Sequence, residues 1–148
     1  MIFVRRDIMS RLFDLSLYSN RKKPVMAKQK SILVVEDYEG FRNSLKQLLE
    51  LEGYEVAEAG TGEEAVEQAT KTKPDMILMD LTLPGIDGLT AARQIRQIPG
   101  LQEAPIIALS AFDAEDFSNE AIGAGCNDYV TKPVDFDQLT RLLAKFLG

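Results

Sequence analysis

From residue 31 onward the chain alternates, five times over, a short apolar run with a longer amphipathic stretch. Ile32-Leu33-Val34-Val35 has the length and β-branched character of a buried strand, and it stops at Glu36-Asp37. Phe41, Leu45, Leu48 and Leu49 follow at the spacing of one helix face, and Gly53 ends that helix. Residues 54–59 alternate as a strand, and Thr61 can cap a helix carrying Ala65, Val66 and Ala69. Met76-Ile77-Leu78-Met79 is a further buried run, ending at Asp80; Pro84-Gly85 breaks the chain before a helix over 89–97. Pro105 precedes the strand Ile106-Ile107-Ala108-Leu109, which ends at Ser110, and Ala114–Gly123 reads as a helix of weak apolar character. Asp128–Thr131 is a short last strand ending at Lys132-Pro133. A final helix from Asp135 to Phe146 turns Leu139, Leu142, Leu143 and Phe146 inward. Strands alternating with helices predict an α/β fold, a doubly wound five-stranded parallel sheet with helices on both faces. Right-handed crossovers leave few ways to wind it.

Residues 1–30 are different in kind. They carry eight Lys/Arg and two Asp, a net +6, whereas the remaining 118 residues carry −12. Ser19-Asn20-Arg21-Lys22-Lys23-Pro24 reads as a linker, and Met26-Ala27-Lys28 offers an alternative start. The expected division is a basic, flexible or mis-assigned extension over 1–30 and one folded domain over 31–148. An acidic body argues against nucleic acid as a partner. No apolar run approaches the ~20 residues of a membrane span, and no signal peptide is evident, so a cytoplasmic location is expected. One cysteine, Cys126, cannot form an internal disulfide and reads as a small buried residue. With no histidine at all, Ser-His-Asp catalysis, Cys-His catalysis and ordinary zinc sites are excluded.

In a doubly wound sheet the ligand site lies at the carboxyl ends of the strands. The residues found there are Glu36 and Asp37, Asp80, Ser110 and Lys132. Three carboxylates brought together repel one another, and a buried one rises in pKa. A divalent cation relieves both problems; Mg²⁺ takes oxygen ligands and suits one or two carboxylates plus a phosphate. A carboxylate can also act as nucleophile and form an acyl phosphate. The set therefore favours Mg²⁺-assisted phosphoryl transfer, with Lys132 neutralising one phosphoryl oxygen and Ser110 donating to another. Gly-x-Gly-x-x-Gly and the P-loop pattern are both absent.

The elements Val34-Val35-Glu36-Asp37, Leu78-Met79-Asp80-Leu81-Thr82-Leu83-Pro84-Gly85-Ile86-Asp87-Gly88, Leu109-Ser110-Ala111 and Tyr129-Val130-Thr131-Lys132-Pro133 stand in that order. Together they closely resemble the receiver domains of two-component response regulators, over residues 31–147. The resemblance implies the flavodoxin-like (βα)5 receiver fold. It implies Asp80 as phosphoacceptor, and Glu36, Asp37, Asp80 and the backbone carbonyl of Thr82 as the Mg²⁺ site. Lys132 resembles the lysine that contacts the phosphoryl group, and Pro133 the proline that follows a cis peptide. Ser110 and Tyr129 resemble the switch pair. Glu36 and Ser110 stand where aspartate and threonine are commoner.

The expected function is that of a stand-alone response regulator. It takes a phosphoryl group from a phosphohistidine of a sensor kinase or histidine phosphotransfer protein, then switches binding of a downstream effector or relays the group onward. It is a signalling receiver, not an enzyme in the ordinary sense, catalysing only its own phosphorylation and slow autodephosphorylation. Weak homodimerisation on phosphorylation belongs to the same expectation. With only Phe146-Leu147-Gly148 beyond the last helix turns, no effector module is expected to follow. The resemblance also implies that Thr82 and Phe112, two residues past Asp80 and Ser110, control water access, so a bulky Phe112 is expected to exclude water and prolong the phosphorylated state. The alternatives are a phosphorylation-independent interaction module of the same fold and a small Mg²⁺-dependent carboxylate-nucleophile phosphatase. The phosphatase usually needs a second aspartate where this chain has Thr82.

Overall fold

A computed structural model of the chain describes residues 28–111 and 114–148, with backbone alone over 114–118. The expectations placed on residues 1–27 and on Phe112 fall outside the described residues. The elements run β1 (Ser31–Val35), α1 (Glu39–Leu51), β2 (Glu55–Ala59), α2 (Gly62–Thr72), β3 (Met76–Asp80), α3 (Gly88–Arg96), β4 (Ile106–Ser110), α4 (Ala114–Gly123), β5 (Asp128–Thr131) and α5 (Phe136–Leu147). The strands form one parallel sheet in the order β2-β1-β3-β4-β5. The five repeats thus fold as the sequence pattern predicts. The differences are at the ends: Tyr54 precedes β2, Gly88 already belongs to α3, and Asp135 is the cap of α5 rather than its first residue.

The period of two in each strand sends alternate side chains to opposite faces, and two separate cores result. On one face Leu33, Val35, Ile77, Met79, Ile106 and Ala108 pack against small residues of the helices, Ala65 and Ala69 of α2, Ala91 and Ala92 of α3, and Ala121 of α4. On the other, Ile32, Val34, Met76, Leu78, Ile107 and Leu109 meet Leu45 and Leu49 of α1 and Leu139, Leu142 and Leu143 of α5. Each fully buried Leu or Ile contributes about 1.5–3 kcal/mol, so the central strands β3 and β4, buried along their whole length, anchor the domain. Edge strand β2 exposes Glu55 and pairs Glu58 with Arg42 and Lys46 of α1, a charged cover that discourages further strand pairing. Cys126 lies in the alanine-lined core, and burial pushes its thiol up to about 11. No helix among the described residues is long and apolar enough to cross a membrane.

Local chemistry fixes the helix starts. Thr61 Oγ1 accepts the Glu64 N–H of α2, Asp87 Oδ1 accepts the Thr90 N–H of α3, and Asp135 Oδ1 accepts the Asp137 N–H of α5. Gly88 is fixed by space rather than by flexibility. A Cβ there would stand 2.7 Å from Leu81 Cα and would collide with the Asp80 carbonyl oxygen. Only a glycine lets α3 begin so close to the end of β3. At the far end of α3, Arg96 donates to the carbonyls of Leu101, Ala104 and Gly125 and to Asn127 Oδ1, tying α3 to both flanks of β4.

Two measurements follow from this architecture. Asp87→Ala removes the α3 cap and is expected to lower stability by about 1 kcal/mol near neutral pH. The Thr90 N–H, the largest influence on it, holds the Asp87 carboxyl below its ordinary 3.8 in the folded chain. Its stabilisation is therefore present above pH 3.8 and lost as pH falls through the lower folded value, so urea curves of wild type and variant should converge in acid. Cys126 should react with a thiol reagent at pH 8 only on unfolding, with native labelling at least about a hundredfold slower than in urea.

Candidate functional site

Sheet register brings the candidate residues together. Val35 pairs with Met79, so Glu36 emerges beside Asp80; Asp80 pairs with Leu109, so Ser110 stands one step further out; Ser110 pairs with Thr131, next to Lys132. The ladder continues past the strand ends, with Glu36 N–H donating to Ala59 O, Leu81 N–H to Leu109 O and Lys132 N–H to Ser110 O. Residues up to 96 positions apart thus sit on one rim. Glu36 (2 % exposed), Asp80 (3 %) and Ser110 (0 %) are buried there, while Asp37 is exposed.

At the centre is a carboxylate–ammonium cluster. Lys132 Nζ donates to Glu36 Oε2 at 2.7 Å and to Asp80 Oδ2 at 3.2 Å. The second Asp80 oxygen accepts the Thr82 N–H at 2.9 Å, and the second Glu36 oxygen accepts the Tyr38 N–H at 3.3 Å. Oxygens of Glu36, Asp37 and Asp80 lie within 4.8 Å of one another. Burial raises the Glu36 pKa, the Asp80 charge raises it further, and the Lys132 ammonium only partly offsets them. Burial alone would lower Lys132, but the Glu36 hydrogen bond and the two carboxylate charges outweigh it and raise the ammonium pKa. The Phe41 ring lies 5.2 Å from Lys132 Nζ, a cation–π contact. The Lys132–Pro133 peptide is cis.

Tyr129 is half-buried and packs against the alanine-lined core. The hydrogen bond from Thr82 shows that its backbone lines the site beside Asp80. Three contributors were not singled out from sequence. Arg42 donates to the Glu36 carbonyl oxygen while pairing with Glu58 at 3.4 Å, which anchors the acidic turn to α1 and β2. Phe41 supports Lys132, and the i, i+4 pattern marked it only as a core residue. Glu63, at the start of α2, accepts the Ile86 N–H of the β3–α3 loop at 3.1 Å. A groove of about 640 Å³ opens beside Lys132, with Tyr38, Phe41, Pro133, Val134 and Phe136 among its walls.

The donor set suits a hard divalent cation. It offers three carboxylates with converging oxygens and no sulfur or imidazole, and the Asp37 carboxylate faces water. Asp80 is also placed to act as a nucleophile, since an ammonium and an N–H already hold its two oxygens in a fixed orientation.

Comparison with known proteins identifies the family. The family model for the response regulator receiver domain matches residues 32–144. The chemotaxis protein CheY of Bacillus subtilis is 38% identical over 118 residues, covering 79% of this chain and 97% of that protein. The polar-differentiation response regulator DivK of Brucella anthropi is 32% identical over 119 residues, covering 80% and 97% respectively. Among solved structures, the receiver domain of a sensor histidine kinase from Pseudomonas aeruginosa superimposes with a TM-score of 0.75 at 36% identity. That match covers 82% of this chain and 99% of that one, and the structure has a magnesium ion coordinated in its active site cleft.

Lys132→Met, measured in EDTA, leaves two buried carboxylates facing each other. The variant should lose about 2 kcal/mol in urea unfolding, less than for a fully buried pair because the Lys132 side chain is 24% exposed. Adding Asp80→Asn to Lys132→Met should recover most of that loss. A double variant no more stable than the single one would show that carboxylate repulsion is not the cause.

Proposed function

The chain belongs to the response-regulator receiver family, and from that premise we propose that it is a response regulator phosphorylated on Asp80 by a partner's phosphohistidine. The observation that carries this reading is the convergence of Glu36, Asp37 and Asp80 with the Lys132 ammonium already in contact with Asp80. Receivers are signalling modules rather than turnover enzymes, and the chemistry assigned to this one is the chain's own phosphorylation and slow dephosphorylation.

An Asp80 carboxylate oxygen attacks phosphorus in line. The new O–P bond forms as the P–N bond to the donor imidazole breaks, and the imidazole nitrogen keeps the electron pair. Glu36, Asp37, Asp80 and the Thr82 carbonyl are the groups assigned to hold Mg²⁺, which when bound neutralises charge on a phosphoryl oxygen and among the carboxylates. Lys132 turns from Asp80 Oδ2 to a phosphoryl oxygen, and the Thr82 N–H keeps the other Asp80 oxygen in place. Ser110, at the end of β4, donates its hydroxyl to the phosphoryl group. Tyr129, one strand over, follows by turning further toward the core. The groove beside Lys132 gives the donor, a histidine kinase or phosphotransfer protein, an apolar seat next to the reacting atoms.

Phosphorylation adds up to about two negative charges at a buried rim. The response is a population shift between two arrangements of β4, α4 and the Tyr129 side chain, read by an effector protein in the cytoplasm or by weak self-association. The folded unit assigned to this activity is 31–148, with 1–30 as an appended basic segment.

Incubation with Mg²⁺ and acetyl phosphate tests the reading by intact mass. Wild type should gain about 80 Da, the mass of one phosphoryl group; Asp80→Asn should gain nothing, and EDTA should abolish the gain. No added mass in wild type, or an undiminished gain in Asp80→Asn, overturns it.

A further inference from the structure

The loop from Leu81 to Asp87 begins at Asp80, carries Thr82 and ends where α3 starts. Its two ends are closed by the Gly88 N–H, which donates to Leu81 O at 3.3 Å, and by the tight approach of Gly88 to Asp80 described above. Its apex, Gly85-Ile86, is held from a different direction by the first turn of α2. Glu63 Oε1 accepts the Ile86 N–H at 3.1 Å. Buried Gly62 lets α2 approach so closely that a Cβ there would stand 2.5 Å from Ile86 O. Gly85, at φ +77°, leaves open the space that both Glu63 oxygens occupy, each 2.7 Å from where its Cβ would be. The Glu63 turn is itself fixed. The Thr61 hydroxyl caps it, and Glu64 Oε2 accepts the Gly60 N–H. Glu63 therefore holds the loop apex without belonging to the cluster of Glu36, Asp37 and Asp80.

Resting on the receiver reading above, we propose that Glu63 is a positioning residue for the phosphorylation site: its carboxylate latches the β3–α3 loop and so sets how tightly the site binds Mg²⁺. Because the loop is pinned at both ends and at its apex, releasing the apex lets the Thr82 backbone move relative to Asp80. The role requires an acceptor oxygen at Glu63 rather than its charge. The substitution Glu63→Gln keeps that acceptor, and Glu63→Ala removes it.

The test uses the full chain as wild type, Glu63→Ala and Glu63→Gln. Mg²⁺ affinity is read by calorimetric or amide-resonance titration with no phosphodonor present, and Ile86 amide exchange is read separately. Phosphorylation by acetyl phosphate is followed by mass at low Mg²⁺. Glu63→Ala should weaken Mg²⁺ binding and slow phosphorylation about three- to tenfold, the size of one net hydrogen bond, and speed Ile86 exchange. Glu63→Gln should stay within about twofold of wild type on all three. Similar thermal midpoints for the three proteins would separate this effect from loss of fold. A wild type that binds Mg²⁺ and gains mass, alongside a Glu63→Ala that does both equally well, overturns this inference alone. So does a Glu63→Gln as defective as Glu63→Ala. A wild type that does neither overturns the receiver reading, and this inference with it.

Discussion

The Lys132 ammonium standing between Glu36 and Asp80 is the contact on which the rest of the rim depends. Two carboxylates at the ends of adjacent parallel strands are forced together by register, and both are almost wholly out of water. Without a cation that arrangement is unfavourable; burial, and after it the Asp80 charge, raise the Glu36 pKa even with Lys132 in place. One ammonium reaches both from the end of β5, which lies two strands from β3 and three from β1 in the sheet. The charge balance is thus a property of strand order, and a different winding of the same five repeats would lose it.

Small side chains set the distances around that contact. The helices that flank β3 are lined with alanine where they face the sheet, and they begin at Gly62 and Gly88, where any Cβ would strike the loop or the strand end. Helix starts are therefore drawn in close to the rim. The loop after Asp80 lies between two such starts and has little room of its own, which fits a site that must hold an acidic side chain in one orientation.

Much of this was legible in the sequence, for physical reasons. Ile32-Leu33-Val34-Val35, Met76-Ile77-Leu78-Met79 and Ile106-Ile107-Ala108-Leu109 are buried on both sides, and continuous apolar runs are the pattern of such strands. The residue stopping each run was legible as a candidate site residue, because a parallel sheet gathers its strand ends on one side. Thr61 was legible as a cap, but the starts of α3 and α5 were not, since Asp87 and Asp135 can be read either as caps or as first-turn acids. Glu63, Arg42 and Phe41 were hidden for a different reason. Each acts through a contact with a segment distant in the sequence, and their local pattern suits an ordinary helix surface or core face equally well. The hold of Arg96 on Gly125 and Asn127 is of the same sort, a contact across 29 and 31 positions with no motif to announce it.

The two faces of the sheet also differ in how they can change over generations. The face covered by α2, α3 and α4 is packed with alanine, so almost any enlargement there pushes a helix outward, at roughly 1–3 kcal/mol per added bulk. The face covered by α1 and α5 is filled with leucine, isoleucine and methionine, whose exchange for one another conserves volume. Substitutions should accumulate more freely in the second layer than at the alanine positions of the first. Relatives that have drifted far apart would then keep the spacing of the helices next to Asp80 while the opposite layer is rebuilt residue by residue.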